Sequence, residues 1–99
     1  MTIERIAENG SVELAVGGEL TAVTAEQLNA AIDAALGETS RLVLDFNDLE
    51  YIASAGLRVL LRAKKSFDAR GGNLFIRNVS PEVMNVFEIT GFSDILDFL

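Results

Sequence analysis

The sequence contains no cysteine and no histidine among its 99 residues. Without cysteine there is neither a disulfide framework nor thiol chemistry, which suits a protein of the cytosol. Without histidine the chain lacks the commonest general base and the commonest metal ligand. It also has no Ser-His-Asp set, no metal-ligand spacing and no glycine-rich phosphate loop. The sequence therefore predicts a protein that is not an enzyme and needs no cofactor.

Long hydrophobic runs and positive charge are also scarce. Every apolar stretch is shorter than the roughly 20 residues that a membrane-spanning helix needs. The N-terminus carries Glu4 and Glu8 and does not resemble a signal peptide. A net charge of −7 argues against nucleic-acid binding, which depends on lysine and arginine. We expect a soluble, cytoplasmic protein with no membrane span and no direct contact with nucleic acid.

The basic residues that are present are unevenly spread. Five of the eight fall in one 13-residue segment, namely Arg58, Arg62, Lys64, Lys65 and Arg70. Helical periodicity places Arg58, Arg62 and Lys65 on one wetter face. That face has two interpretations: an ordinary solvated helix surface, or a local basic patch for an acidic partner.

Hydrophobic periodicity predicts a single α/β domain over residues 1–99, with elements in the order ββαβαβα. Alternating strands and helices indicate a central, mostly parallel sheet of four or five strands with three main helices. Strands are expected at 2–8, 11–16, 41–44 and 73–77, and helices at 25–36, 55–69 and 81–90. Asn9-Gly10 predicts a hairpin turn, and Gly17-Gly18 predicts an end or a bulge of the second strand, before a loop over 19–23. Residues 93–99 indicate a short strand or a helical turn.

Capping signals mark the start of each helix. Thr24 and Gln27 have the spacing of a capping box, and Ser54 is expected to be the N-cap of the second helix. Ser80-Pro81 predicts the start of the third helix, and Gly91 its end. The inward stripe of that helix is expected to comprise Val83, Phe87 and Thr90. In the second helix the inward stripe should comprise Gly56, Leu57, Leu60, Ala63 and Phe67.

The junction between the central strand and the second helix carries a lone hydroxyl, Ser54, between Ala53 and Ala55. Ser54 could cap the helix or be exposed to a modifying enzyme. In open α/β sheets, function gathers beyond the carboxyl ends of the parallel strands. Three loops are expected there, at 19–24, 45–54 and 78–80. Asp45, Asp48 and Glu50 in the second loop could hold Mg²⁺, but a polar loop closing the sheet edge is the favoured interpretation, so no metal site is predicted.

Three stretches in register, Gly18–Ala25, Leu42–Arg58 and Asn78–Phe92, resemble the STAS domain family, in particular its bacterial anti-sigma factor antagonists. The resemblance implies a small α/β binding protein. Members bind an anti-sigma factor, often a serine protein kinase of the histidine-kinase-like ATPase class, and thereby free a sigma factor. The kinase phosphorylates a hydroxyl residue at the start of the helix after the buried strand, which breaks the complex, and a serine phosphatase restores it.

Carried onto this chain, the resemblance implies that Ser54 is the phosphoacceptor. The partner-binding residues are expected to be Thr21, Thr24, Ala53, Ser54, Gly56, Arg58 and Arg62. In the best-known members the junction has an aspartate and two hydroxyl residues before Gly-Leu, whereas here it has Ala53, Ser54 and Ala55. If the modified position matches Ala55, the chain binds its partner constitutively. This departure favours one alternative, a non-switching STAS subunit of a larger assembly such as a lipid-transport or sensor complex. A further alternative, nucleotide binding, is disfavoured by the missing phosphate loop.

Overall fold

A computed structural model describes all residues from Met1 to Leu99. The strands are β1 (Thr2–Glu8), β2 (Ser11–Leu20), β3 (Arg41–Asp45), β4 (Leu49–Ile52), β5 (Asn73–Arg77) and β6 (Asp97–Phe98). The helices are α1 (Ala25–Leu36), α2 (Ser54–Ala69) and α3 (Pro81–Thr90), and a 3-10 turn follows at Phe92–Asp94. The α/β class and the three helices are confirmed.

The strands form one six-stranded sheet in the order β1-β2-β3-β5-β6, with β4 paired to the far end of β2. Only the β1–β2 hairpin is antiparallel, and all other pairs are parallel. Its turn is at Asn9 and Gly10, which both have positive φ, as predicted. The sheet is therefore mostly parallel as expected, but it has six strands and not four or five. Strand β4 lies inside the segment 45–54, which was expected to be a loop, and β6 lies inside 93–99, for which a short strand or a helical turn was expected.

The second strand is longer than its hydrophobic alternation indicates. A register shift between Gly18 and Glu19 marks a bulge, and Gly18 has φ +97°, so the strand bends there instead of ending. Residues 19 and 20, expected in a loop, are strand residues that pair with β4. Strand β2 therefore pairs with three strands: β1 in the hairpin, β3 along its first half and β4 beyond the bulge.

The core is one cluster of 23 buried hydrophobic residues that joins the three helices to alternate residues of the strands. Three phenylalanines are completely buried in it: Phe46, Phe67 and Phe87. Every residue of the predicted inward stripe of α2 is buried. In α3, Val83 and Phe87 are buried but Thr90 is exposed, contrary to expectation. The Thr90 hydroxyl donates a hydrogen bond to the Val86 carbonyl at 2.7 Å, within the same helix, so this polar group has a partner without being buried.

Two of the three predicted helix starts are built differently from the expectation. At α3 the Ser80 hydroxyl accepts the Val83 N–H at 3.2 Å, and Gly91 ends the helix with φ +82°, both as predicted. The capping box at α1 is wrong, because Thr24 makes no cap bond to its own helix. The Thr24 hydroxyl instead accepts the Thr21 N–H at 2.9 Å and donates to the Glu19 carbonyl at 2.7 Å. It thereby closes the turn that leads from β2 into α1.

The start of α2 lies directly on the ends of two strands. The Ala53 N–H donates to the Leu20 carbonyl at 2.9 Å. One turn further on, Gly56 is packed so closely that a Cβ there would lie 2.6 Å from Leu20 Cγ and 2.9 Å from Ile52 Cγ1. Only a residue without a side chain permits this approach. Gly56 therefore sets how α2 begins relative to β2 and β4.

We expect Gly56→Ala to lower the free energy of unfolding by about 1–3 kcal/mol, because the new methyl group overpacks a fully buried contact. Gly37→Ala is the matched control, since Gly37 has φ −76° and a Cβ there would meet only the Ala34 carbonyl oxygen at 3.6 Å. The control should be neutral or stabilising by less than about 1 kcal/mol. Urea denaturation measures both, and equal effects of the two substitutions would contradict the packing role of Gly56.

Candidate functional site

Two parallel strands end side by side and bring two of the predicted loops together. Leu20 of β2 pairs with Ile52 of β4, so the residues that follow them, Thr21 and Ala53, leave the sheet at the same edge. The chain after Leu20 forms a tight turn in which the Thr21 carbonyl accepts the Ala25 N–H at 2.8 Å. The predicted convergence of the 19–24 and 45–54 segments is therefore confirmed.

The third predicted loop meets the other end of the 45–54 segment. The Asn78 side-chain amide donates to Asp45 Oδ1 at 3.1 Å, and the Phe46 N–H donates to the Arg77 carbonyl at 3.0 Å. These bonds fix residues 45–48 beside β5. The loop at 78–80 thus positions the segment that leads into β4, while the turn at 21–24 is the neighbour of Ser54.

Ser54 is the first residue of α2, and the expectation that it caps this helix is wrong. The N-cap is Ala53, whose backbone is extended, with φ −104° and ψ 174°. The Ala53 carbonyl accepts the N–H groups of Gly56 and Leu57 at 2.9 and 3.2 Å, and no side chain caps the helix. Ser54 already has its backbone inside the helix, so its hydroxyl is not used for capping. The side chain is exposed.

The first backbone N–H groups of α2 consequently have no hydrogen-bond acceptors. The N–H groups of Ser54 and Ala55 donate to no group of the protein. Unpaired N–H groups and the helix dipole together favour a negative group at this end. A phosphate on the Ser54 oxygen would be placed at this positive end of a 16-residue helix. Chemically, the site offers an accessible hydroxyl and an environment that tolerates an added anion.

The other predicted site residues differ in how accessible they are. Arg58 and Arg62 are exposed, while Thr21, Thr24 and Ala53 are half-buried. Gly56 is buried, so its position is explained by packing against Leu20.

Sequence reasoning did not include Val23 among the site residues. Its side chain is 91% exposed in the turn beside Ala53. The signal available in the sequence was an apolar residue between two threonines in a segment with no helical or strand periodicity.

Two of the five clustered basic side chains, Lys64 and Arg70, are already engaged by the protein. Lys64 bonds to Asp68 at 3.1 Å and to Asp97 at 3.3 Å, and these bonds, chiefly that to Asp68, hold the pKa of Lys64 above its ordinary value. Arg70 donates to the Leu36 carbonyl at 3.1 Å.

Three exposed cations remain on α2, and we call them the basic stripe: Arg58, Arg62 and Lys65. Arg58 and Lys65 make no salt bridge, and Arg62 has one long hydrogen bond of 3.4 Å to Asn29 of α1. The expectation that these three side chains share a solvent-exposed face of the helix is confirmed, because all three are exposed. With 3.6 residues per turn, Ser54 falls within about 80° of all three around the helix axis. Ser54 therefore lies on the same face of α2 as the basic stripe and N-terminal to all three of its cations.

Two of the three acidic residues of the 45–50 segment, Asp45 and Asp48, have structural partners. Asp45 accepts the Asn47 N–H at 3.0 Å as well as the Asn78 amide, and it lies 3.6 Å from Arg77. Asp48 accepts the Asn47 amide at 3.1 Å. No three acidic side chains of the structure are grouped so that they could hold a metal ion. No helix has both the length and the apolar character needed to cross a membrane.

The fold and the site together define a class: a small α/β protein with a hydroxyl exposed at the start of the helix that follows strand β4. A family model for the STAS domain matches residues 2–98. The chain belongs to the STAS domain family, as the sequence motifs predicted.

Several named proteins are similar to this chain over most of its length. A protein of Bordetella bronchiseptica named as an anti-sigma factor antagonist, BtrV, is 38% identical over 96 residues, which are 96% of this chain and 81% of BtrV. The anti-sigma-B factor antagonist of Listeria monocytogenes is 33% identical over 87 residues, covering 87% of this chain and 76% of that protein. The Bacillus cell-fate determinant SpoIIAA in its phosphorylated form has the same fold, with a TM-score of 0.77 at 23% identity over 99% of this chain and 91% of SpoIIAA.

We expect Ala53→Asp to raise the free energy of unfolding by about 1 kcal/mol, because Ala53 is an N-cap in the extended conformation that a capping side chain requires. Ala53→Asn separates capping from charge, since it can accept the same N–H bond without interacting as an ion with the helix dipole. Urea denaturation measures both variants. A loss of stability in both would show that the half-buried site has no room for a cap.

Proposed function

We propose that this protein is an anti-sigma factor antagonist. It binds an anti-sigma factor through the surface around Ser54 and so releases a sigma factor. The observation that carries the proposal is the exposed Ser54 hydroxyl at the first position of α2, in a chain of the STAS family. The names of the two relatives support the same function.

The binding surface in this proposal combines an apolar turn with the basic stripe. Val23, together with Thr21 and Thr24, provides a small protruding contact beside Ala53. Arg58 and Arg62 extend the surface along α2. Because the rest of the chain is strongly acidic, with a net charge of −7, these free cations favour a partner surface of negative charge and steer its approach. The partner class is an anti-sigma factor that is also a serine protein kinase of the histidine-kinase-like ATPase class.

Phosphorylation of Ser54 is the switch in this proposal. The kinase transfers the γ-phosphoryl group of ATP to the Ser54 oxygen: a P–O bond forms, the bond between the γ-phosphorus and the bridging oxygen breaks, and ADP leaves. The hydroxyl proton passes to a base of the kinase. A serine phosphatase hydrolyses the ester with water and returns the hydroxyl and inorganic phosphate. The phosphate adds about −1.5 to −2 charge to an interface that was neutral at Ser54, which separates the complex by repulsion and desolvation.

The alternative is a STAS subunit that does not switch. Ala53 and Ala55 favour it, because they remove the aspartate and the second hydroxyl of the best-known junctions. In that case the surface around Ser54 is a permanent interface within a larger assembly, and the Ser54 hydroxyl is never modified.

Incubation with ATP and the histidine-kinase-like serine kinase of the same genome should add one phosphate to the wild-type protein, as intact-mass spectrometry would show. Ser54→Ala should gain none, because no other hydroxyl lies at the start of α2. Ser40→Ala is the matched control, since Ser40 is also exposed but precedes β3 at the opposite end of the strand. It should be modified like the wild type.

Two results would contradict the switch. Equal modification of Ser54→Ala and wild type would place the phosphate elsewhere. No modification of any variant by a kinase that forms a complex with the protein would favour the non-switching subunit.

A further inference from the structure

We propose that Arg58 forms an intramolecular ion pair with the phosphate of Ser54, so that one modification both adds a negative group and engages a cation of the basic stripe. The inference rests on the proposed function, in which Ser54 is modified. It assigns to Arg58 a part in regulation that differs from a contact with the partner.

The spacing of the two residues is suited to an ion pair. Ser54 and Arg58 are four residues apart in the first turns of α2, so they are neighbours on the helix surface, with Cβ atoms about 5–6 Å apart. The anion would be N-terminal to the cation, which is the favourable order for an i, i+4 pair and agrees with the helix dipole. A guanidinium can also bind two phosphate oxygens at once.

No neighbouring side chain forms an ion pair with Arg58. It is exposed and makes no salt bridge. Ala53 and Ala55 supply no carboxylate or hydroxyl that could compete for it, and residues 21–24 carry no charge. Acidic side chains of the adjoining elements, including Glu19 of β2, Glu26 and Asp33 of α1 and Glu50 of β4, form no salt bridge with it. The same alanines that depart from the best-known junctions therefore leave Arg58 available for the phosphate.

The pairing holds the charge of the phosphate on the basic stripe itself. Before modification the stripe presents three positive charges, those of Arg58, Arg62 and Lys65. A phosphate of about −1.5 to −2 charge bound to Arg58 leaves a net charge of about +1 to +1.5 on the same surface. An acidic partner would thus lose about half to two-thirds of the positive charge that attracts it.

The test uses the full chain with phosphoserine inserted genetically at position 54, and it reads the second ionisation of the phosphate by ³¹P NMR titration. Arg58 favours the dianion, so Arg58→Gln should raise the phosphate pKa by about 0.5 unit relative to the unsubstituted phosphoprotein. Lys65→Gln is the matched control. It removes one positive charge from the same stripe, but it lies 11 residues from Ser54, a rise of about 16 Å along the helix. Its phosphate pKa should stay near that of the unsubstituted phosphoprotein.

Equal phosphate pKa values in the Arg58→Gln and Lys65→Gln phosphoproteins would overturn the proposal, since the charge at position 58 would then have no special contact. Arg58→Lys supplies a second measurement: it should keep most of the shift, because it preserves the charge at the same spacing. Phosphoserine enters during translation, so the outcome does not depend on any kinase. Failure of the kinase experiment would refute the switch at Ser54 without altering this titration, and the reverse also holds.

Discussion

The close contact between the start of α2 and the paired ends of β2 and β4 determines the geometry of the site. A Cβ at Gly56 would lie within 2.6 Å of Leu20, and the Ala53 N–H bonds to the Leu20 carbonyl. These two contacts fix the first turn of α2 on rigid strands. Ser54 is consequently exposed at a defined place, between the turn at 21–24 and the basic stripe. If a side chain at position 56 held α2 further from β2 and β4, the Ser54 hydroxyl would no longer lie beside that turn.

The charge that the surface presents depends on which basic side chains already form ion pairs or hydrogen bonds within the protein. The chain has eight basic residues against fifteen acidic ones. Lys64, Arg70 and Arg77 are bound to carboxylates or a carbonyl of the protein itself. The basic stripe is therefore the part of α2 where positive charge remains available, and Ser54 is at its beginning. In the proposed switch, a phosphate at this point adds its negative charge beside the free cations of the basic stripe.

Much of the fold was predictable because it depends on local patterns. The two-residue alternation of β2, the helical stripes of α1 and α2, the Asn9-Gly10 turn and the Ser80-Pro81 start all rely on neighbours in sequence. The predictions that failed depend on contacts that residue periodicity does not show, some between distant segments and some within a single turn. Strand β4 has only four residues, with two exposed ones between Leu49 and Ile52, so its pattern carries no clear period. It is a strand because the bulged end of β2 provides a partner. Thr24 likewise bonds back to Glu19 because the bend after β2 brings that carbonyl near.

The sequence by itself determined the α/β class, the three helices, the family and the lone hydroxyl at the junction, because these depend on residue type, order and periodicity. Tertiary structure decided how that hydroxyl is used. It placed Ala53, not Ser54, at the cap, since the bond from the Ala53 N–H to Leu20 sets where the helix begins. It also buried Gly56, exposed Val23 and left Arg58 unpaired one turn from Ser54. Those outcomes depend on which distant groups meet in space, which no local pattern encodes.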